Sequence, residues 1–357
     1  MLERVGRTYA QGNKMKRIGY IFEDIISVEN LRAAHYDVKR AKKPKRRKAA
    51  IAYEEHLEEN LQMLHEALAS ETWNMHPYRR MVRIERGKRR EIYYSPSHED
   101  SIVQHAILRT LGKRIAKTFI RDTYASIKNR GTHDGVRRLR DFISKIPGDA
   151  ACYADKSDIR RFYQSILHAP LIKAVWHKIK DSRAARLLVR IIESHFPGIP
   201  IGNALSPLLA NLLLSSLDHI AKELFRIKGY FRYLDDTVAF AVGLAKEAKE
   251  SLKKFAAFSR EYLAGIGLAI KPNEQVFPIE RGGVDFLGYV FTRTCITLRK
   301  KTERRFRRAV ARFKRKPSEK NRATLSSYWG QIKWITHSQR FWYSFFDKPI
   351  HQLEVCT

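Results

Sequence analysis

The chain has 357 residues, 44% of them hydrophobic, and a formal net charge of +32. That length supports a core divided over two or three lobes and excludes a single small domain. The three cysteines, Cys152, Cys295 and Cys356, are too few and too scattered for a disulfide framework or a CxxC zinc site, and they fit a reducing cytosol.

In chain order, residues 1–20 are basic without an apolar core, unlike a secretory signal. Lys39 to Lys48 is almost entirely basic, and this run points to nucleic acid rather than to a solvated face. Leu57, Leu61, Leu64 and Leu68 recur at helical spacing, which predicts an amphipathic helix over 49–69. Val82 to Tyr94 predicts a hairpin around Arg86-Gly87-Lys88, and 102–118 and 135–143 predict helices. Cys152 to Ser157 predicts a short strand ending at Asp158. Ser194 to Leu217 carries no charged residue, but three prolines, two glycines and a short apolar part exclude a spanning helix, so no membrane is expected. Ser206-Pro207 predicts a helix start, with the serine as cap and the helix running to about Phe225. Tyr230 to Val242 predicts two strands around Leu234-Asp235-Asp236, and 246–263 a helix capped by Gly265. Val284 to Phe291 predicts a strand. A second basic block, Arg299 to Lys316, carries Phe306, Val310 and Phe313 as an apolar stripe, and the remainder reads as helical. The fold class is α+β, a small antiparallel sheet among helices.

Taken alone, the Asp235-Asp236 pair reads as a turn, where aspartate bonds its own backbone. The segment Lys156-Ser157-Asp158-Ile159-Arg160-Arg161-Phe162-Tyr163 changes that reading. It places an acid at a strand end and an aromatic five residues later. The order of this segment, Gly202-Asn203-Ala204-Leu205-Ser206-Pro207 and Tyr233-Leu234-Asp235-Asp236 resembles the palm of reverse transcriptases.

The resemblance implies a right-hand polymerase fold: a basic helical extension at 1–78, fingers at 79–150, palm at 151–291 and a helical thumb at 292–357. It implies that Asp158, Asp235 and Asp236, with Ile159 beside them, hold two Mg2+ ions, for which Mn2+ can substitute. Magnesium takes hard oxygen ligands and keeps several waters, so two or three carboxylates suffice. Asp155 is a rival for the first acid. It lacks the following apolar residue and the aromatic five positions on, and is assigned to solvent or to the strand's polar face. Tyr163 falls where the family places the aromatic that excludes a ribose 2′-hydroxyl. Lys88 and Arg90 match residues that grip the incoming triphosphate, with a solvated basic hairpin as the alternative. Ile102 to Ala106 and Ser126 to Gly135 match the fingers helix and a template-contacting loop that includes Arg130; a structural or phosphate contact is expected of His133. Phe286-Leu287-Gly288-Tyr289 matches the primer-grip hairpin. Arg304, Arg305, Arg308 and Arg312 would face the template–primer duplex. The aromatics from Tyr328 to Trp334 are expected to form thumb core rather than to stack on bases.

At Ile199-Pro200-Ile201-Gly202 an isoleucine stands where most reverse transcriptases have glutamine. In this the chain resembles the reverse transcriptases of diversity-generating retroelements, which are related to those of group II introns. That likeness implies copying of a template-repeat RNA into adenine-randomised cDNA from dNTPs. It also implies a small basic oligomeric accessory protein and a cytoplasmic enzyme encoded by a bacterium, archaeon or phage. Two features depart from the group: Pro207 stands where it has glutamine, and the late-palm lysine is missing, Lys271 lying too early and Glu274 occupying its place. A group II-like or phage-defence reverse transcriptase and a non-catalytic RNA-binding scaffold with a relict palm are the alternatives.

Overall fold

A computed structural model describes residues 17–41, 44–85 and 87–353; the side chains of residues 41, 44–47, 85 and 88 are not described. Part of the basic run from Lys39 to Lys48, together with Arg86 and Cys356, therefore lies outside the described residues. The chain forms two compact units, each discontinuous in sequence. The first holds the chain up to Lys128, Asp158–Arg226 and Ala257–Pro272; the second holds Asn129–Ser157, Ile227–Ala256 and Asn273–Thr357. The mixed α+β class read from the sequence is the observed one.

In the first unit the helix expected over 49–69 is two helices, Pro44–Glu55 and Leu57–Ala69, broken at His56. The leucine stripe serves only the second, burying Leu61, Leu64 and Leu68, so nothing obliges the preceding turn to stay coaxial. Strands β1 (Arg79–Glu85) and β2 (Lys88–Tyr94) form the expected hairpin, with Glu85 opposite Lys88. The His98–Ile107 helix continues through a wider π turn, Leu108–Gly112, into Lys113–Ala116, and β3 (Thr123–Tyr124) follows. The Ser206–His219 helix starts where expected, but Leu205 is its cap residue. Ser206 lies inside the first turn and its hydroxyl donates to the Pro200 carbonyl at 2.7 Å, so it ties the preceding loop down instead of capping.

The second unit is built on a sheet whose strands run in the order β5-β6-β4-β7. These are β4 (Ala151–Asp158), β5 (Gly229–Tyr233), β6 (Asp236–Gly243) and β7 (Gln275–Pro278). Between β6 and β7 in sequence, the Ala245–Gly265 helix includes Gly265 as its last residue. The left-handed residue past its end is Gly267, at φ +81°. The strand read over 284–291 from residue type is instead a hairpin at the place where the resemblance implied one, β8 (Val284–Phe286) and β9 (Tyr289–Phe291), turning at Leu287-Gly288; β10 (Ile296–Leu298) pairs with β9. The helices Lys300–Arg315, Glu319–Ile332 and Ser338–Tyr343 then pack around Phe306, whose ring meets Tyr328, Phe341, Trp342 and Phe345. Of the aromatics expected in the thumb core, Tyr328 meets Phe306 and Trp329 meets Trp342, both half-buried, and Trp334 stacks on His133 with ring centres 5.0 Å apart, a structural contact for that histidine. Among the described residues no helix is long and apolar enough to cross a membrane.

Candidate active site

The acid hairpin is tight. Tyr233 pairs with Asp236 across β5 and β6, leaving Leu234 and Asp235 as the turn, so Asp236 is already a strand residue. Leu234 sits at φ +56°, a left-handed backbone that costs a residue with a Cβ about 1–2 kcal/mol. Arg232, only 1% exposed, secures it: its guanidinium donates to the Leu234 carbonyl at 3.1 Å. A charged donor of this kind contributes about 1.5–3 kcal/mol, enough to offset the strain. From the adjacent strand β4, the Lys156 ammonium donates to the Asp236 carboxylate. The same ammonium lies 5.6 Å from the centre of the buried Phe286 ring on β8.

Asp158 closes β4, and its surroundings in the first unit are equally specific. Its backbone carbonyl accepts from the Lys271 amide at 2.8 Å, and its Oδ2 accepts from the Lys271 ammonium at 2.6 Å. Ile159 bridges to Ile270, and the Arg160 amide donates to the Ala269 carbonyl, so residues 158–160 and 269–271 form a short ladder. Lys271, read as too early for the family's late-palm lysine, is thus the lysine that pairs with Asp158. Asp155 is not at solvent. It is 3% exposed, and strand alternation turns it to the face opposite Asp158.

Among the described residues no three His, Cys, Asp or Glu side chains gather as a metal centre. Each acid taken by itself offers hard oxygen donors of the kind a divalent cation takes. In the first unit Asp158 Oδ1 is buried without a hydrogen-bond partner while Oδ2 pairs with Lys271; in the second the Asp236 carboxylate pairs with Lys156.

The loop carrying Ile201 is held mainly through backbone. The Tyr93 amide at the end of β2 donates to the Ile201 carbonyl at 2.8 Å, and the Ile199 amide donates to the Tyr163 carbonyl at 2.9 Å. Gln104, 4% exposed, accepts from the Ala204 amide at 3.0 Å, and the Asn203 side chain donates to the Tyr78 hydroxyl at 2.7 Å. Two glycines permit these approaches. A Cβ on Gly198 (φ +69°) would stand 2.2 Å from the Tyr163 carbonyl oxygen; one on Gly202 (φ +116°) would stand 2.8 Å from the Tyr93 carbonyl oxygen and from Ile92. Tyr163, half-buried, and Ile201 are thus brought to one loop cluster with the end of the hairpin. Beneath it His195 packs edge-on to Tyr93, and burial lowers its pKa from the ordinary value.

The remaining sequence-selected residues fall in separate places. Arg90 is exposed on β2, while the side chain of Lys88 lies outside the described residues. Arg130 is half-buried in the loop before the Thr132–Ile143 helix. Arg304, Arg308 and Arg312 are exposed at four-residue spacing on one face of the Lys300–Arg315 helix, with Arg305 partly covered beside them. In the β8–β9 hairpin Phe286 and Tyr289 are buried core, and burial pushes the Tyr289 hydroxyl up to about 12, so only Leu287-Gly288 reaches the turn. Sequence reasoning missed Lys156, Arg232 and Gln104. Arg232 and Gln104 had one signal, a polar side chain among apolar or aromatic neighbours, whereas Lys156 stands among Asp155, Ser157 and Asp158 and had none.

Residues 85–291, more than half the chain, match the family model described as reverse transcriptase (RNA-dependent DNA polymerase). Escherichia coli (strain K12) protein YkfC is 27% identical over 174 residues, 46% of this chain and 45% of its own length. The group II intron-encoded protein LtrA of Lactococcus lactis subsp. cremoris is 26% identical over 179 residues, 47% of this chain and 29% of its own length. The chain thus spans less than half the length of these relatives. Among solved structures, a telomerase from Candida albicans in complex with a fragment of telomeric RNA aligns at a TM-score of 0.47 and 12% identity. It covers 67% of this chain and 51% of its own. With the acid hairpin, the strand-end aspartate and the pocket loop all inside the matched span, the chain belongs to the reverse transcriptase (RNA-dependent DNA polymerase) family and is related to the group II intron reverse transcriptases.

Proposed function

We propose that this chain is an RNA-directed DNA polymerase that copies a template-repeat RNA into adenine-mutagenised cDNA, the copying step of diversity-generating retrohoming. The observation that carries the subgroup is Ile201: an isoleucine in the pocket loop, its backbone tied to β2 through Tyr93, where an amide side chain would otherwise steady the nascent base pair. An apolar side chain selects by shape alone, which is worth about 1–3 kcal/mol of discrimination.

Asp158, Asp235 and Asp236 are the residues that would hold magnesium. Bound there, the two ions supply activation of the primer hydroxyl and charge neutralisation on the triphosphate. The rest is done by the chain itself. Arg232 fixes the turn that carries Asp235 by holding the Leu234 carbonyl. Tyr163, pinned by its carbonyl to Ile199, closes the sugar side of the pocket against a 2′-hydroxyl. Lys88 and Arg90 offer positive charge to the triphosphate, Arg130 meets the template, and the Leu287-Gly288 turn approaches the primer end. Arg304, Arg305, Arg308 and Arg312 neutralise duplex phosphates. A small basic oligomeric accessory protein completes the assembly through the shared RNA.

The test is primer extension on a defined RNA followed by sequencing of the cDNA. Asp158→Ala and Asp235→Ala are expected to abolish synthesis while RNA binding survives. Residual synthesis within tenfold of the wild type, about 1.4 kcal/mol of barrier, would remove the acids from the mechanism. A second reading, a group II-like reverse transcriptase, is favoured by Pro207 and by the similarity to LtrA. Errors in wild-type cDNA spread evenly over the four template bases would select it.

A further inference from the structure

Lys156 opens the segment that carries Asp158 but was given no role there, and its side chain joins three strands of the second unit. It leaves β4 two residues before Asp158, and strand alternation puts both on the same face. Its ammonium is paired with Asp236 at the start of β6 and lies over the ring of Phe286 on β8. The pair is about three-quarters covered, Lys156 being 25% and Asp236 29% exposed in their side chains. Phe286 is fully buried at the foot of the Leu287-Gly288 turn. The acid hairpin and the turn proposed to approach the primer are thus connected through one cation.

We propose that Lys156 is a positioning residue, a built-in counter-cation that holds Asp236 against the β8 hairpin and competes with the divalent cation for that carboxylate. The inference rests on the acid set proposed above and adds to it a reason for the enzyme's metal requirement. Without metal, an unpaired Asp236 next to Asp235 would be a like-charge contact on a strained turn, and Lys156 relieves it. With metal, two cations address one carboxylate, so each weakens the hold of the other. The Phe286 ring gives the ammonium somewhere to remain, because a cation over an aromatic face stays favourable when its anion turns away.

Mn2+ is the probe, titrated by electron paramagnetic resonance against the full chain without nucleic acid. Lys156→Gln is expected to bind Mn2+ about fivefold tighter than the wild type, the scale of a partly exposed ion pair. In the Lys156→Gln, Asp236→Asn double variant that gain is expected to vanish relative to Asp236→Asn alone, because the competed carboxylate is gone. Lys156→Arg is expected to restore wild-type affinity. Primer extension in parallel is expected to show a lower kcat for Lys156→Gln at a lower Mg2+ midpoint. Far-ultraviolet circular dichroism reports folding, and if the glutamine variant does not fold, Lys156→Met takes its place. Mn2+ affinity equal to or weaker than wild type in a folded variant, or a gain that survives in the double variant, overturns the proposal. Failure of the underlying acid set shows differently: wild-type Mn2+ binding would then be untouched by Asp235→Ala.

Discussion

Replacing Gly198 by alanine puts a methyl carbon 2.2 Å from the Tyr163 carbonyl oxygen and 2.8 Å from two backbone atoms of Gln164. Cβ atoms do not approach backbone closer than 3.0 Å, so the Tyr163–Gln164 segment must retreat by roughly 1 Å. Overpacking of this sort costs about 1–3 kcal/mol. The φ of +69° adds about 1–2 kcal/mol for a residue with a Cβ, and loss of the Ile199 amide bond to the same carbonyl adds about 1 kcal/mol. Together these reach about 3–6 kcal/mol, a large part of the 5–15 kcal/mol that stabilises an ordinary domain. Gly265 provides the contrast: it ends a helix with nothing within 4 Å of its would-be Cβ. Gly265→Ala is expected to be neutral or to stabilise by up to about 1 kcal/mol. Urea denaturation followed by circular dichroism compares the two. Because Tyr163 moves with the clash, surviving Gly198→Ala enzyme is also expected to discriminate less between deoxyribonucleotides and ribonucleotides. A Gly198→Ala midpoint within error of wild type, with unchanged sugar discrimination, would refute the link between this glycine and the tyrosine.

Ile201→Gln is expected to retain synthesis and to lower errors opposite template adenine several-fold more than opposite other bases, since one net hydrogen bond is worth about 1 kcal/mol. Sequencing of cDNA from wild type and variant on one template checks this, and an unchanged adenine share removes Ile201 from fidelity. Replacing Arg304, Arg305, Arg308 and Arg312 together is expected to weaken duplex binding and to reduce the log–log salt slope by roughly 0.7–0.9 for each lost phosphate contact. A slope unchanged in filter binding would mean the helix face is merely solvated. Burial pushes the Cys152 thiol up to about 12, so almost no thiolate exists at pH 8. Native protein is expected to resist iodoacetamide at Cys152 while half-exposed Cys295 reacts, as peptide mapping would show.

The two-strand hairpin around Asp235 was legible because Tyr230 to Tyr233 is a run of strand formers, whereas Asp158 was picked out by its place in a family order alone. The breaks in regular elements were harder to see. Leu287 is an apolar residue between strand formers, yet it occupies a left-handed turn at φ +55°, so 284–291 reads as one strand when only residue types are weighed. Ser206 reads as a cap by type, but its hydroxyl finds a better acceptor in Pro200, across a loop that no local pattern describes. Lys156, Arg232 and Lys271 were illegible for a common reason. Their roles depend on which strand or loop lies beside which, and β4 sits next to β6 rather than next to its sequence neighbour β5. Asp155 failed the same way: a carboxylate in an exposed-looking pattern is 3% exposed once the sheet is formed.

The pairing of β4 with β7 also governs the order in which the molecule can be assembled. Ala154 lies opposite Phe277, more than a hundred residues later in the chain. During synthesis β4 therefore emerges long before the strand that finishes its ladder. Closing so long a loop adds only slowly to the entropic cost, but it delays the contact. Until Pro278 has left the ribosome, β4 remains an open edge able to pair with another nascent chain. Lys156 lies within that edge, opposite Gln275 in the finished sheet, and a charge in an exposed strand discourages such pairing. The residue that pairs with Asp236 in the finished fold thus guards the strand while the chain is being made.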